Sequence, residues 1–184
     1  MRKVPGILFI IVNIFLWGMR VTAQEVSPYK ISRLSVNLQN YSEISPVIVD
    51  DGIVFCSDRR LTGITDRTSF DNRRLYNLYY AGKKDTSDFR KPVNIKSERS
   101  ALFNTGPLCI SPDGETVYFT SEIETGIPSR SRKFRNHSGI FTARLSGMEL
   151  NSIQPFKYNN AEYNIGQPSI SADGRFLYFA SDMP

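Results

Sequence analysis

Residues 103–122 read FNTGPLCISPDGETVYFTSE, and residues 163–182 read YNIGQPSISADGRFLYFASD, a match without gaps at an offset of 60 residues. A third and looser copy, YSEISPVIVDDGIVFCSD, runs from Tyr41 to Asp58 and is about two residues shorter after its Asp-Gly pair. Each copy contains an aromatic residue, an apolar strand, an Asp-Gly pair and a second strand that ends in Ser and an acidic residue. Self-similarity at a fixed period indicates a repeat architecture, with repeat starts near residues 41, 103 and 163.

An Asp-Gly pair stands at the centre of each copy. Gly accepts positive φ, and Asp tolerates it while bonding its own backbone, so the pair is a strong hairpin signal. We therefore expect antiparallel strands on either side of three structural turns, which are Asp51 and Gly52, Asp113 and Gly114, and Asp173 and Gly174.

The intervals between the hairpins contain further strand candidates. They are residues 75–81 and 89–95 in the first interval, and residues 139–145 and 153–157 in the second. Pro92 and Pro155 fall in the last strand of each interval, which suits an edge strand because proline cannot donate to a ladder. Residues 29–38 also alternate like a strand, and we expect them to supply an outer strand to the final repeat.

Four strands in each repeat are the content of one propeller blade. The predicted fold class is all-β, a partial β-propeller of four-stranded antiparallel blades, with about two and a half blades over residues 24–184. Closed propellers usually have four to eight blades. We therefore expect the chain to be a fragment or a truncated product of a longer protein; the alternative is closure by self-association.

The first 23 residues differ from the rest of the chain. Arg2 and Lys3 precede an apolar run over residues 7–17, and Ala23 fits the small-residue pattern of a signal-peptidase site. We predict a signal peptide over residues 1–23, cleaved between Ala23 and Gln24. The alternative is a retained membrane anchor, but the apolar run is shorter than the roughly 20 residues that span a bilayer. The mature chain is predicted to contain no transmembrane span.

Removing the signal peptide changes the charge of the chain. The net charge is +5 from 23 basic and 18 acidic residues, and three of the basic residues lie in the signal segment, which leaves +2. A charge this small does not indicate nucleic acid as a partner. Cys56 and Cys109 are too far apart in sequence for a metal or redox motif. The oxidising periplasm permits a disulfide, but we favour two buried free thiols.

The motifs SPDGETVYFTSE and SADGRFLYFASD resemble the TolB-type, WD40-like repeats of exported proteins from Bacteroidetes-type bacteria. The resemblance covers residues 41–184, although the first copy reads Val-Asp-Asp-Gly in place of Ser-Pro-Asp-Gly. It implies a periplasmic or outer-membrane-associated protein that contacts other envelope proteins. An OmpA-like peptidoglycan-binding domain often follows such repeats, so association with peptidoglycan is expected only through a domain that these residues do not contain.

The residues that carry chemistry do not form a recognisable catalytic set. The one histidine, His137, lies in a polar segment, no Gly-x-Ser-x-Gly elbow is present, and the Asp spacing of a calcium loop is missing. We read His137 as an exposed loop residue. The repeated acids Asp58, Glu122 and Asp182 are interpreted as acceptors for loop backbone, because catalytic carboxylates need two different environments. No catalytic residue, cofactor site or metal site is predicted.

One basic segment, SRSRKFR over residues 129–135, is a candidate interaction loop for an anionic envelope component, although a solvated loop is the simpler interpretation. Its cations are Arg130, Arg132, Lys133 and Arg135. The predicted function is a non-enzymatic exported scaffold or binding module. Two alternatives remain at this point: the propeller portion of a prolyl-oligopeptidase-like peptidase, and a glycan-binding or glycan-cleaving propeller.

Overall fold

The computed structural model describes residues 29, 31–61, 68–69, 72–86, 88–100, 102–123 and 137–184. The chain divides into two compact units, Met1–Ser32 and Arg33–Pro184, and the ten described strands all lie in the second. The predicted signal segment with its site at Ala23 and Gln24 lies outside the described residues, and so do Arg130, Arg132, Lys133 and Arg135. Over the described ranges, no helix has the length and apolar character that crossing a membrane requires.

The strands form three antiparallel sheets, two of four strands and one of two. Sheet A contains β1 (Glu43–Val49), β2 (Gly52–Ser57), β3 (Asn77–Gly82) and β4 (Val93–Asn94). Sheet B contains β5 (Thr105–Ile110), β6 (Thr116–Glu122), β7 (Ser138–Ser146) and β8 (Glu149–Pro155), and sheet C contains β9 (Ile165–Ile170) and β10 (Leu177–Ser181). Spatial order follows chain order within each sheet. The predicted all-β fold, a partial propeller-like arrangement of four-stranded antiparallel sheets, is confirmed.

The sheets are stacked so that the first strand of each packs on the sheet before it. Strand β5 contacts β1, β2 and β3 of sheet A, and β9 contacts β5, β6 and β7 of sheet B. The main apolar cluster fills the first of these two seams, between sheets A and B. It is built from Val54, Cys56, Leu78, Ile95, Leu108, Val117, Phe119, Phe141, Ala143 and Leu150. Strands that are apolar on both faces are buried on both faces, as expected for stacked sheets.

The hairpin turns of sheets B and C share one hydrogen-bond pattern. Asp113 accepts the Ser111 hydroxyl and the Glu115 N–H, while Gly114 adopts a φ of 76°. Asp173 accepts the Ser171 hydroxyl at 2.6 Å, and Gly174 adopts a φ of 71°. These bonds lower the pKa of both aspartates, through the serine hydroxyl first in each case.

The first turn lies one residue earlier than its sequence predicts. Val49 pairs with Gly52, so Asp50 and Asp51 form the loop and Gly52 is the first residue of β2. A Cβ at Gly52 would lie 2.3 Å from the carbonyl oxygen of Ala81, so the glycine permits a close approach of β3. Because this copy is shorter, its hairpin closes before the glycine is reached.

Residues 31–38 form no strand, so the prediction of an outer strand over residues 29–38 is wrong for this part of the segment. From Arg33 onward the chain makes a turn, in which Asn37 N–H bonds the carbonyl of Leu34 at 3.1 Å. Val36 is 3% exposed and packs in a second cluster with Phe55 and Tyr79 of sheet A. The alternating apolar residues therefore cover a sheet face and do not extend a ladder.

The outer strands differ in length from the predicted ranges. Only Val93–Asn94 of residues 89–95 forms a strand, directly after Pro92, which has no N–H for the ladder. In sheet B, β8 begins at Glu149, four residues before the predicted start at residue 153, because Gly147 adopts a φ of 59° and closes a tight turn between Ser146 and Glu149.

Cys56 and Cys109 are free thiols. Cys56 faces sheet B within the first seam, whereas Cys109 follows Leu108 of that same seam and therefore faces sheet C. Burial raises the pKa of the Cys56 thiol to about 12 and that of Cys109 to about 11. Both residues act as small apolar side chains, and the expectation of free thiols is confirmed.

Candidate functional site

The repeated carboxylates lie where the second strand of each sheet ends. Asp58 accepts the N–H of Ser42 at 2.7 Å, and Asp182 accepts the N–H of Asn164 at 2.6 Å. Ser42 and Asn164 each stand just before the first strand of the same sheet. The interpretation of these two acids as acceptors for loop backbone is confirmed. The bonds also lower the pKa of Asp182, the Asn164 side chain contributing most and its backbone next.

Two asparagines extend this contact to the preceding sheet. The Asn104 side chain donates to Glu122 at 2.6 Å and accepts the N–H of Tyr76, beside β3 of sheet A, at 3.0 Å. Asn164 repeats the arrangement, donating to Asp182 at 2.8 Å and accepting the N–H of Ser138 in β7 at 2.9 Å. Each carboxylate thus orients an amide that ties one sheet to the next. We call this arrangement the Asn–carboxylate clip.

The sequence contains a signal for the clip, although it does not resemble a catalytic motif. Asn104 and Asn164 occupy the same position in the two closest repeats, immediately after an aromatic residue. The corresponding residue of the first repeat is Ser42, which has no amide to bridge two sheets. An identical polar residue that recurs at a fixed spacing from a repeated acid indicates a hydrogen-bonded pair.

An open cavity of about 440 Å³, lined by several polar side chains, lies between sheets B and C next to the second clip. Glu122 contributes a buried carboxylate oxygen that has no hydrogen-bond partner among the described residues. The lining includes Asn104, Thr120, Glu122, Asn164, Gln167 and Asp182. No group of three or more His, Cys, Asp and Glu side chains in the described ranges is arranged to hold a metal ion.

His137 is half-buried, not fully exposed as the sequence suggested. Its carbonyl accepts the N–H of Ile123 at 2.8 Å, directly before β7, so the backbone belongs to the end of the sheet B ladder. Its Nδ1 is buried and has no partner among the described residues. The structure describes no serine hydrogen-bonded to it.

An open groove of about 1410 Å³ lies beside sheet A. We call it the sheet A groove. Its apolar part includes Val36, Leu61 and Phe89. Its cations are Arg59, Arg60, Lys84, Arg90, Lys91 and Lys96, and its acids are Asp88, Glu98 and Glu149.

Among these charged groups, Arg59 and Asp88 make well-defined contacts within the chain. Arg59 bonds Glu43 at 2.8 Å and lies 5.2 Å from the Phe55 ring centroid and 5.0 Å from that of Tyr79. Asp88 accepts the backbone N–H of Ser35 at 3.0 Å, and its pKa is lowered mainly by Ser35. The carboxylate therefore stays ionised while it holds the turn of residues 33–38 against the loop before β4.

Four cations of the rim are exposed to solvent. Lys84, Arg90, Lys91 and Lys96 are exposed, and Val93 of the edge strand β4 is 52% exposed beside them. Sequence reasoning missed this set because its members are spread over residues 84–96 and no short basic run marks them. The fold brings them together around the short outer strand.

No protein-family model matches the chain, and the comparisons with curated proteins and with solved structures found no similar protein. The class of protein is therefore defined by the fold alone: an all-β chain whose sheets stack in a partial propeller-like arrangement. The resemblance to TolB-type repeats rests on the repeat motifs themselves.

Proposed function

We propose that this chain is an exported, non-enzymatic scaffold or binding module of the cell envelope, built on TolB-like repeats. The repeated acids support a structural role, since Asp58 and Asp182 accept hydrogen bonds from strand starts. The signal-like segment over residues 1–23 supports export. Binding, in this proposal, uses the sheet A groove.

The observation that carries the binding proposal is the combination of charge and shape in that groove. Five cations, Arg60, Lys84, Arg90, Lys91 and Lys96, surround an apolar floor, while three acids lie on the same rim. One of those acids, Asp88, is already hydrogen-bonded to the backbone of Ser35. A positive rim over apolar surface complements an acidic, extended protein segment with apolar side chains, and the edge of β4 is available for main-chain pairing.

A fluorescein-labelled peptide of alternating Glu and Val tests the groove on the full chain, with binding followed by fluorescence anisotropy. The variant Arg90→Glu with Lys91→Glu removes two rim cations, and we expect it to weaken binding at least tenfold, or about 1.4 kcal/mol. Wild-type affinity should also fall as sodium chloride is raised, because rim charges are screened by salt.

The matched control is Arg144→Glu with Lys157→Glu, which makes the same change in net charge at exposed positions outside the groove lining. We expect this control to retain most of the affinity. Equal losses in the two double variants would show attraction to net charge alone and would reject the groove as the site.

Export is tested separately on the secreted product. Mass spectrometry of protein recovered from the periplasm of an expressing bacterium should show an N-terminus at Gln24. A product that keeps residues 1–23 and sediments with membranes would support the retained anchor instead.

A further inference from the structure

Residues 33–38, which we call the strap, lie across a face of sheet A and border the sheet A groove. Val36 is the one buried side chain of the strap, and it packs in the cluster that contains Phe55 and Tyr79. Tyr79 also lines the groove, as do Val36 and Leu38 of the strap. Val36 therefore fills apolar space at the edge of the groove, where a side chain of a ligand would otherwise reach the rings of sheet A.

Three hydrogen bonds to neighbouring residues also hold the strap. The Arg59 guanidinium donates to the carbonyl oxygen of Val36 at 3.0 Å. Asp88 accepts the backbone N–H of Ser35 at 3.0 Å, and the Ser35 hydroxyl donates to the carbonyl oxygen of Phe89 at 2.9 Å. The first two bonds use backbone groups of the strap. A peptide bound in the groove has the same backbone groups and can form these bonds in place of the strap.

The strap is held less firmly than the sheet beneath it. None of residues 33–38 lies in a strand, and the backbone bond within the strap joins the Asn37 N–H to the carbonyl of Leu34 at 3.1 Å. Strand β2, by contrast, is buried along its whole length and pairs with strands on both sides. Segments with few buried apolar contacts open at a lower free energy than core strands. We therefore expect the strap to detach while sheet A stays folded.

We propose that the strap is an autoinhibitory cover of the sheet A groove, which the ligand displaces when one of its apolar side chains replaces Val36 on Phe55 and Tyr79. The inference rests on the proposed function for the identity of that ligand, an acidic segment with apolar side chains. Release of the strap also frees the Arg59 donor for a carbonyl or carboxylate of the ligand. Because only the open fraction of the protein binds at this position, the cover lowers the apparent affinity.

The labelled peptide of alternating Glu and Val tests the cover on the full chain by fluorescence anisotropy. Val36→Ser removes the apolar anchor without changing the net charge, and we expect this variant to bind the peptide at least tenfold more tightly than the wild type. The matched control is Val93→Ser, the same change at an exposed valine of the groove lining outside the strap, which should not raise the affinity. Weaker binding by Val36→Ser would make Val36 part of the binding floor and would overturn the proposal.

A second experiment decides the proposal without the Glu-Val peptide, whose failure to bind any of these proteins would count against the proposed function. A synthetic peptide with the sequence of residues 32–39, SRLSVNLQ, is titrated into isotopically labelled protein, and NMR shifts of the Tyr79 ring are followed. We expect Val36→Ser to bind this peptide at least tenfold more tightly than the wild type, in which the tethered strap competes for the same position. Equal affinities, or no binding to the variant, would overturn the proposal.

Hydrogen exchange of the full chain identifies the part that opens. The Asn37 amide should exchange through an opening that leaves the amides of β2 protected, and Val36→Ser should accelerate exchange at Asn37 alone. If Asn37 exchanges as slowly as β2 in the wild type, the strap opens only when sheet A unfolds, which would contradict the proposal. The amide spectrum reports whether Val36→Ser is folded, and Val36→Ala provides a milder variant for all three experiments.

Discussion

The two seams of this molecule are built from the same repeat but differ in polarity. The seam between sheets A and B is filled by a continuous apolar cluster and has the thiol of Cys56 beneath Gly106. The seam between sheets B and C has Thr120 beneath Gly166, and the Thr120 hydroxyl accepts the Gln167 N–H at 2.8 Å. An open cavity of about 440 Å³ with several polar side chains in its lining lies beside this second contact.

The difference shows how one repeat unit produces two kinds of contact. Backbone geometry is common to both seams, because each uses a glycine, a bulged first strand and an Asn–carboxylate clip. The other side chains of each seam determine how much apolar surface that seam removes from water. Burial of apolar area is the main source of stability. We therefore expect the first seam to hold most of the unfolding free energy and the second to open first.

The largest effect is expected from Phe119→Ala in the first seam. Phe119 is fully buried, and its ring centroid lies 6.0 Å from that of Phe141. Removing the ring leaves a cavity that should lower the free energy of unfolding by about 3–5 kcal/mol, measured by urea denaturation. The control is Phe176→Ala in the turn before β10, where the ring is 55% exposed and the cost should stay below about 1 kcal/mol. Similar losses would show that burial of Phe119 in the first seam contributes no more to stability than an exposed ring does.

A smaller effect is expected where a methyl group is added to the second seam. Gly166→Ala forces the new Cβ against Cγ2 of Thr120 and should cost about 1–3 kcal/mol. Thr120→Ser removes that methyl group while keeping the hydroxyl that accepts Gln167 N–H. The double variant should therefore recover part of the loss, with a coupling of about 0.5–3 kcal/mol in a double-mutant cycle. Strictly additive losses would mean that residues 166 and 120 are not in contact.

The sequence predicted the repeat, the hairpins and the all-β class because these depend on local chemistry. Alternating apolar residues and Asp-Gly pairs act within a few residues, and Asp113 with Gly114 shows the expected turn geometry. The bulges in the first strands left no such signal, although Gln167 adopts a φ of 55° at one of them. They depend on contact with the preceding sheet, which no local pattern records.

The site was harder to predict for the same reason. The cations of the sheet A groove come from separate parts of the chain and meet around strand β4 only in the folded protein, while residues 33–38 cover the adjoining face of sheet A. The same alternation of apolar residues that made this segment look like a strand also suits a segment that covers a sheet. Tertiary packing, and not propensity, decides between the two.

The smallest effect concerns the dependence of the second seam on pH. The folded-state pKa of Asp182 is lowered by hydrogen bonds from Asn164, so its contribution to stability is present above the unfolded value near 3.9 and is lost as pH falls through the folded value. The protection of the Ser138 amide against hydrogen exchange, which depends on its bond to Asn164, should therefore fall in this acidic window.

Asp182→Asn removes the titrating group and should abolish this pH dependence of protection at Ser138. The matched change Asp113→Asn lies in a turn and also removes an aspartate whose pKa is lowered, but it should leave exchange at Ser138 unaffected. A loss of protection at Ser138 in both variants would contradict the role assigned to the clip.

The most direct measurement is a pair of nuclear Overhauser contacts in the folded chain, each joining a glycine of one repeat to a side chain of the repeat before it. The α-protons of Gly106 should show cross-peaks to the β-protons of Cys56, and those of Gly166 should show cross-peaks to the Thr120 methyl group. Both sets are expected if successive copies stack in chain order. Their absence, with the hairpins themselves intact, would show that the three copies belong to unrelated sheets.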